Sequence, residues 1–375
     1  MRNLTVFFLI NLFLLYRSVA AQSPQKENDF NLVEFAMHHI GDSYSWDFYT
    51  VDHKTVGINL PRILFNPLNK KIDFFWSTHR AVEYGYLEEH EFNPEAIHGA
   101  LLVPQSKESL ESLADSLKLA PDSASAALWQ VRLNEKIKES RPLDFSITKN
   151  VLFLFFASVL LLSIFISIAR RYQKNPNTPP KGLQSALEPV IIFIRDDIAK
   201  TYLPHHYEKY LPLLLNFFFF IWFLNMMGLI PFSGNVTGNI AVTASLALIT
   251  MVVTNVSAKK HYWGHILWFP GVPVFVKPIM FVVELVSVFT KPFALTIRLF
   301  ANITAGHLVI ISFISLIFIF GKLGQVPAAG WATSVVSVAF ALFIDLIEIL
   351  IALLQAYIFT TLSALFIGQA VEHGH

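Results

Sequence analysis

The feature that most constrains this chain is the length of its last two apolar stretches, residues 274–320 and 331–367. A helix that crosses a bilayer perpendicularly needs about 20 residues, so each stretch is longer than one span requires. Excess length is accommodated by tilting or by breaking the helix, and Pro278 and Pro292 would allow a break. Three shorter apolar stretches precede them, at residues 151–168, 211–230 and 240–256. The pattern predicts an all-α polytopic membrane protein with about five transmembrane helices.

A guanidinium group lies well inside the first of the two long stretches. Arg298 falls within the apolar run from Phe293 to Phe320. A charged side chain at bilayer depth costs about 3 kcal/mol on insertion scales, so an intramembrane Arg indicates a function by default. The alternative is snorkelling, in which an Arg near a helix end lifts its head group to the interface. The depth of Arg298 in the run favours the functional interpretation.

Both long stretches carry polar residues at helical spacing. Asp345, Glu348 and Gln355 fall on one face of a helix, and Arg298 and Asn302 fall on one face of the preceding helix. Each helix is therefore expected to present a polar stripe.

The two stripes also match each other in spacing. Nine residues separate Arg298 from His307, or about 13 Å of helix, and seven separate Glu348 from Gln355, or about 10 Å. If the two helices are antiparallel, Gln355 lies near the level of Arg298 and Glu348 near the level of His307. A titratable pair then lies to one side of the Arg.

These motifs carry a specific resemblance. The run Arg-Leu-Phe-Ala-Asn-Ile-Thr-Ala-Gly-His at 298–307, with Glu348 and Leu-Gln-Ala-Tyr-Ile-Phe at 354–359, closely resembles subunit a of the F-type ATP synthase. The resemblance covers roughly residues 145–370 and more weakly 30–65. It implies that Arg298 faces the proton-carrying carboxylates of a rotating subunit c ring, and that the last two helices are strongly tilted along that ring.

The resemblance also suggests roles for the other polar residues. Asn302 and Gln355 match the family's Asn and Gln, and Glu284 and Lys291 match acidic and basic positions upstream of the Arg. Some members carry Glu and His in the reverse order to His307 and Glu348, which indicates that the pair matters more than its order. Asp345 has no place in the general family pattern.

The function expected from the resemblance is that of the stationary half of a rotary proton motor. Two offset aqueous half-channels would be separated by Arg298, and Glu348 and His307 would relay protons on the outer side, with Asp345 extending that path. Since His and carboxylates also bind metals, a metal at this cluster is an alternative, which the nearby positive charge disfavours. We expect no metal and no cofactor.

The implied partners are the oligomeric subunit c ring, the peripheral-stalk subunit b, the rest of the ATP synthase complex and membrane lipid. The chain shows no nucleophile–base constellation and no phosphate-binding Gly-rich loop, so it is expected to be a non-catalytic subunit. The alternative from another class is a self-contained proton-coupled transporter or channel. Transporters usually show inverted repeats with interrupted helices, and no such repeat is evident.

Composition excludes several other classes. The 375-residue chain has no cysteine, which excludes disulfides, cysteine–zinc sites and thiol catalysis. Its net charge is +1, and no basic cluster is interleaved with aromatic residues in the way that nucleic-acid binding requires.

Residues 1–21 have the pattern of a signal peptide, with an uncleaved anchor as the alternative. Residues 22–149 are polar and are expected to be an extracytoplasmic region, with strand-like runs at 47–59 and a helix-like stretch at 107–118. This region contains six histidines, whose spacing favours a solvated surface over a metal site: His38, His39, His53, His79, His90 and His98.

Positive charge sets the expected orientation. Arg170 and Arg171 follow the first span, which places that end in the cytoplasm. An amphipathic helix at 182–202 is expected on the cytoplasmic surface. The membrane domain would cover 150–370 and leave 371–375 as a cytoplasmic tail, in a multi-pass protein of the cell inner membrane.

Two asparagines of the second span leave alternatives open. Asn216 and Asn225 would either line a channel or make hydrogen bonds in helix packing, and the packing role is favoured.

Overall fold

The computed structural model describes residues 41–51, 54–89, 92, 100–118, 123–174, 179–230, 233–268, 273, 275–322 and 325–372. They form two compact units, whose described parts run from Asp42 to Leu152 and from Phe153 onward. The expected signal peptide and five of the six N-terminal histidines lie outside the described residues.

The first unit combines short strands with helices. Its strands are β1 Ser45–Val51, β2 Lys54–Asn59, β3 Arg62–Asn66, β4 Lys71–Phe75, β5 Leu87–Glu88, β6 Leu101–Leu102 and β7 Leu143–Asp144. Its helices are α1 Thr78–Tyr84, a 3-10 turn Pro104–Ser106, α2 Lys107–Lys118 and α3 Ser123–Ser140. The strands form antiparallel sheets in the orders β1-β2, β4-β3-β7 and β5-β6. The helix-like stretch at 107–118 and the strand-like run at 47–59 are therefore confirmed.

Alternating burial along β3 explains how this unit packs. The side chains of Arg62, Leu64 and Asn66 are buried, while Ile63 and Phe65 point to the opposite face. The inward face meets a core that also contains Ala81, Tyr86, Leu101 and Val103.

Two arginines pair with carboxylates in this unit. The Arg62 guanidinium lies 3.0 Å from Asp144 and over the ring of Tyr44. Glu89, whose side chain is only 2% exposed, accepts two hydrogen bonds from Arg141, at 2.8 and 2.5 Å. Hydrogen bonding with Glu89 raises the pKa of Arg141 and so favours the charged pair.

The described part of the second unit is helical. Its elements are α4 Lys149–Lys174, α5 Leu183–Phe193, a π-helical segment Ile194–Ala199, α6 Lys200–Tyr202, α7 Tyr207–Gly228, α8 Ile240–Ser257, α9 Lys260–Leu267, α10 Lys277–Phe320 and α11 Pro327–Val371. Within the described residues, five of these are long and apolar enough to cross a membrane: α4, α7, α8, α10 and α11. The prediction of a polytopic helical membrane protein is confirmed, and strands occur only in the first unit within the described ranges.

The two long apolar stretches form continuous helices. Pro278 lies in the first turn of α10, where a missing N–H costs little. Pro292 lies inside α10 without ending it, and the Thr296 hydroxyl donates to the Pro292 carbonyl oxygen at 2.9 Å. The 44 residues of α10 rise about 66 Å, more than twice the roughly 30 Å hydrocarbon core. Such a helix is too long for one perpendicular span, and neither proline breaks it.

The stretch at 182–202 is helical but changes winding at Ile194. Ile194, Ile198 and Ala199 are fully buried in the same core as Leu214 and Phe217 of α7. That core lies where α7, α8, α10 and α11 meet. A hydrogen bond of 3.1 Å between the hydroxyls of Thr250 and Ser363 joins α8 to α11 inside it.

Candidate functional site

The site depends on the register between α10 and α11. Lys291 Nζ donates to Gln369 Oε1 at 3.1 Å near one end of the pair, and Phe313 stacks on Phe340 at 5.3 Å nearer the other end. The two helices are thus antiparallel, which is the condition under which the polar residues were expected to match in level.

Gly306 brings Glu348 to the level of His307. A Cβ placed on Gly306 would overlap Glu348 Oε1, so the absence of a side chain lets the carboxylate of α11 lie directly against the backbone of α10. The expected matching of Glu348 with His307 along the helices is confirmed by this contact.

The Glu348 carboxylate is buried, since the residue is only 6% exposed. Within the described residues, neither of its oxygens has a hydrogen-bond partner. Burying an ionised carboxylate without partners is expensive, because the charge loses its hydration. The arrangement therefore suits a carboxyl group that exchanges a proton.

His307 lies where α10 approaches the end of α7 and the loop that follows it. A Cβ placed on Gly228 would be 3.7 Å from His307 Nε2 and 3.8 Å from Asn235 Oδ1. His307 Nε2 and Asn235 Nδ2 are both buried and lack hydrogen-bond partners among the described residues. Neither Asn235 nor Gly228 was predicted from the sequence to belong to the site. The signal available was a polar Asn in an uncharged loop between two spans, which also fits an ordinary turn.

Asn225 links α7 to α11 beside this cluster. Its Nδ2 donates to the Ala352 carbonyl oxygen at 3.3 Å, one helical turn from Glu348. Asn216 is exposed. The packing role expected for these asparagines is confirmed for Asn225 and not for Asn216.

Arg298 and Asn302 are exposed on α10, whereas Gln355 of α11 is buried, at 5% exposure. Because α10 and α11 are antiparallel and Gly306 contacts Glu348, residues at equal distances from this contact lie at the same level. Arg298, eight residues before Gly306, is therefore at the level of Ala356, eight residues after Glu348 and next to Gln355. Gln355 therefore lies near the level of Arg298 in the helix pair. Phe293 and Ile297 are also exposed on α10.

The remaining polar residues lie on either side of this level. Asp345 is half-buried one turn from Glu348 on α11. Glu284 is half-buried two turns from Lys291 on α10, and Lys291 also lies 5.2 Å from the centre of the Phe366 ring. Along α10, Arg298 thus lies between two groups of polar residues. Lys291 and its partner Gln369 are on one side, and His307 and the Glu348 carboxylate are on the other.

The described residues contain no group of three His, Cys, Asp or Glu side chains arranged to hold a metal ion. His79 is the member of the N-terminal histidines that the structure describes. It is exposed and lies 3.4 Å from Glu83.

A family model described as Domain of unknown function (DUF8433) matches residues 35–116, a range that overlaps the first unit. That description names no activity, so it assigns none to this unit.

Comparison with known proteins identifies the second unit. The family model for the ATP synthase A chain matches residues 151–368. The chain is 49% identical over 234 residues to "ATP synthase subunit a" of Chloroherpeton thalassium, which covers 61% of this chain and 68% of the relative. It is 46% identical over 244 residues to "ATP synthase subunit a 2" of Chlorobium luteolum, with 62% and 67% covered.

A more distant bacterial relative agrees. "ATP synthase subunit a" of Myxococcus xanthus is 42% identical over 239 residues, which covers 62% of this chain and 75% of the relative. The family model spans more than half of the chain and contains Arg298, Asn302, His307, Glu348 and Gln355. The chain therefore belongs to the ATP synthase A chain family.

Proposed function

We propose that Arg298 is the charge past which the proton-carrying carboxylates of a subunit c ring move in a proton-translocating subunit of the ATP synthase membrane sector. The observation that carries this assignment is the exposure of Arg298, within a 44-residue apolar helix. An Arg that served only to pack the chain's own helices would be buried against a partner group. Exposure at this depth instead supports a role toward a second protein.

The chemistry follows from the permanent charge of the guanidinium. A carboxylate within about 4–6 Å of an Arg has its pKa lowered by about 1–3 units, so an approaching ring carboxyl group releases its proton. Arg cannot lose its own proton under these conditions, so it blocks direct passage between the two half-channels. The membrane supplies about 2.3 kcal/mol per charge for each 100 mV. Asn302 and Gln355 would orient the guanidinium and the passing carboxyl group.

We place the outer proton path at Glu348 and His307, with Asp345 as its extension. Support comes from burial of the Glu348 carboxyl oxygens and His307 Nε2 without partners among the described residues. A buried polar group without a hydrogen-bond partner is costly, and for a carboxyl group that cost falls when it binds a proton.

We place the inner path at Glu284 and Lys291, on the opposite side of Arg298 along α10. Support comes from the hydrogen bond of Lys291 to Gln369 and from the half-burial of Glu284. This offset of polar clusters is the arrangement that two half-channels require.

The proposed orientation has residues 22–149 outside the cell inner membrane and the C-terminus in the cytoplasm, after cleavage of residues 1–21. It follows from Arg170 and Arg171 after the first span, with the helix at 182–202 on the cytoplasmic surface. The further partners would be subunit b and the subunits that carry ATP chemistry, since this chain would be non-catalytic.

Labelling tests the proposed orientation. A membrane-impermeant maleimide should label a Leu128→Cys variant in intact cells, whereas labelling only in inverted vesicles would reverse the topology.

Replacement of Arg298 tests the central assignment. Arg298→Ala should abolish ATP-driven vesicle acidification, because both the pKa depression and the barrier between half-channels are lost. Passive proton leak should persist or rise. Arg298→Lys should also be severely impaired, because an ammonium group is compact, strongly hydrated and able to lose its proton when desolvated. Pumping near the wild-type rate in the Ala variant would refute the assignment.

A further inference from the structure

The first unit carries an apolar surface that its own core does not use. Strands β3, β4 and β7 place six apolar side chains on one face of the sheet, which we call the apolar sheet face: Ile63, Phe65, Ile72, Phe74, Leu143 and Phe145. Ile72, Phe74, Leu143 and Phe145 are between 51% and 70% exposed. Trp76 follows β4, is 74% exposed and packs edge-on against Phe74 at 5.1 Å.

The register shows that these side chains form one continuous face. Ile63 is opposite Phe74, and Phe65 is opposite both Ile72 and Leu143. The Phe145 N–H donates to the Ile63 carbonyl oxygen at 2.9 Å, which extends the pairing by one position. When one face of an antiparallel sheet packs on the core and the other is solvated, each strand normally alternates buried apolar residues with exposed polar ones. Here the pattern is different, because the outward face is apolar while the inward face carries Arg62 and Asn66 beside Leu64. The outward face is therefore marked as a contact surface.

The same unit holds the beginning of the first span. The Lys149 N–H donates to the Ser43 carbonyl oxygen at 2.8 Å, and the Asn150 N–H donates to Asp42 Oδ1 at 3.0 Å. These bonds fix the first turn of α4 to the unit that carries the apolar sheet face. Lys149 and Asn150 therefore belong to the same compact unit as the sheet.

The distance from the face to the bilayer is short. Six residues lead from Phe145 to Val151, where the apolar run of α4 begins, and even a fully extended segment of that length spans at most about 20 Å. Aromatic side chains such as Trp76 are favoured at the membrane–water interface, where the ring is partly buried and polar atoms stay wet. Lys70, in the turn before β4, and Lys71, the first residue of β4, are exposed. Basic side chains near a bilayer surface are attracted to anionic lipid head groups.

We propose that the apolar sheet face rests on the lipid bilayer, so that the first unit is a peripheral membrane-binding module at the end of α4. Its ligand is the interfacial layer of lipid head groups and upper acyl chains. The module would hold the start of α4 at a fixed depth, since the hydrogen bonds to Ser43 and Asp42 join the two. This inference does not depend on the roles proposed for Arg298 or Glu348.

Because the chain contains no cysteine, single cysteines provide a direct test. Phe74→Cys and Ile72→Cys each place an environment-sensitive fluorophore on the apolar sheet face. Leu128→Cys, on α3, provides the matched control, because Leu128 is also apolar and is 66% exposed. The full-length protein is reconstituted in vesicles of phosphatidylethanolamine and phosphatidylglycerol. Quenching is then measured with lipids brominated in the upper acyl chain and, separately, with aqueous iodide.

Binding to lipid predicts that brominated lipid quenches the labels at 72 and 74 severalfold more than the label at 128, and that iodide shows the reverse order. If iodide quenches all three positions equally, the face is open to water and the proposal is wrong. Protection of 72 and 74 from iodide without quenching by brominated lipid would mean that protein covers the face, and this result would also overturn the proposal. Two labelled positions keep the test valid if one substitution disturbs β4.

Discussion

Gly306 controls how closely the two long helices approach at the level of the buried carboxylate. Any side chain there would occupy the position of Glu348 Oε1. Gly306 immediately precedes His307 on α10, and His307 lies close to Gly228, which is also near Asn235. A glycine, rather than a charged residue, therefore sets the geometry of the pair.

Gly306→Ala should reduce ATP-driven proton pumping severalfold while the subunit still assembles. The added Cβ forces either the carboxyl group to turn away or the helices to separate, and overpacking of this kind costs about 1–3 kcal/mol. Pumping in inverted vesicles, compared at equal subunit content, measures the effect.

The matched control is Gly264→Ala in α9, where a Cβ would meet nothing within 4 Å. It should pump at the wild-type rate. Equal pumping by both variants would mean that the contact between Gly306 and Glu348 is dispensable for proton transfer.

At the scale of elements, α11 is held by contacts of small or polar groups with three other helices. It meets α10 at Gly306, α8 through Thr250 and Ser363, and α7 through Asn225. Hydrogen bonds matter in such a place because lipid offers no alternative partners. The position of Glu348 thus depends on α7 and α8 as well as on α10.

Asn225→Ala should destabilise the membrane unit by about 1 kcal/mol, in the range measured for hydrogen bonds between membrane helices. The variant removes the donor to the Ala352 carbonyl oxygen. Asn216→Ala, on the same helix but exposed, should have no measurable effect. Thermal unfolding in detergent micelles compares the two, and an equal loss of stability in both would contradict the packing role of Asn225.

The sequence predicted the elements of the membrane unit well because apolar runs bounded by charge or turns determine spans. Spacing also predicted that Glu348 lies near His307. The contributions of Gly306 and Asn235 were not predictable, since both depend on which atoms of a distant segment meet them. Continuity of α10 through Pro292 was equally undecided, because a proline in an apolar helix is compatible with either a break or a continuous helix.

At the scale of the whole molecule, the two units have separate cores. The first unit buries Leu64, Tyr86 and their neighbours, and the second buries residues of α7, α8, α10 and α11. The pairing of β3 with β7 in the first unit joins residues far apart in sequence, such as Leu64 and Asp144, which explains why local patterns did not predict it. Damage to one core is expected to leave the other intact.

Arg141→Ala should therefore sensitise residues 42–152 to protease without changing proton pumping. It removes two hydrogen bonds to the buried Glu89 carboxylate, at a cost of about 2 kcal/mol for bonds to a charged group. Lys136→Ala is the control, because Lys136 pairs with Glu139 at 3.4 Å on the exposed surface, where an ion pair contributes at most about 1 kcal/mol. Limited proteolysis and vesicle acidification are measured on the same preparations. A parallel loss of pumping in Arg141→Ala would show that the units are energetically coupled.

The exposure of Arg298 also has a consequence for biogenesis. Before its partner arrives, the newly inserted chain presents a guanidinium on the outside of an apolar helix, at a cost of about 3 kcal/mol if the group meets lipid. Docking against a ring of carboxylates would remove that cost, so the free energy of the unassembled subunit would be lowered by assembly. If Arg298 has the role proposed for it, the same side chain would distinguish an unassembled copy from an assembled one.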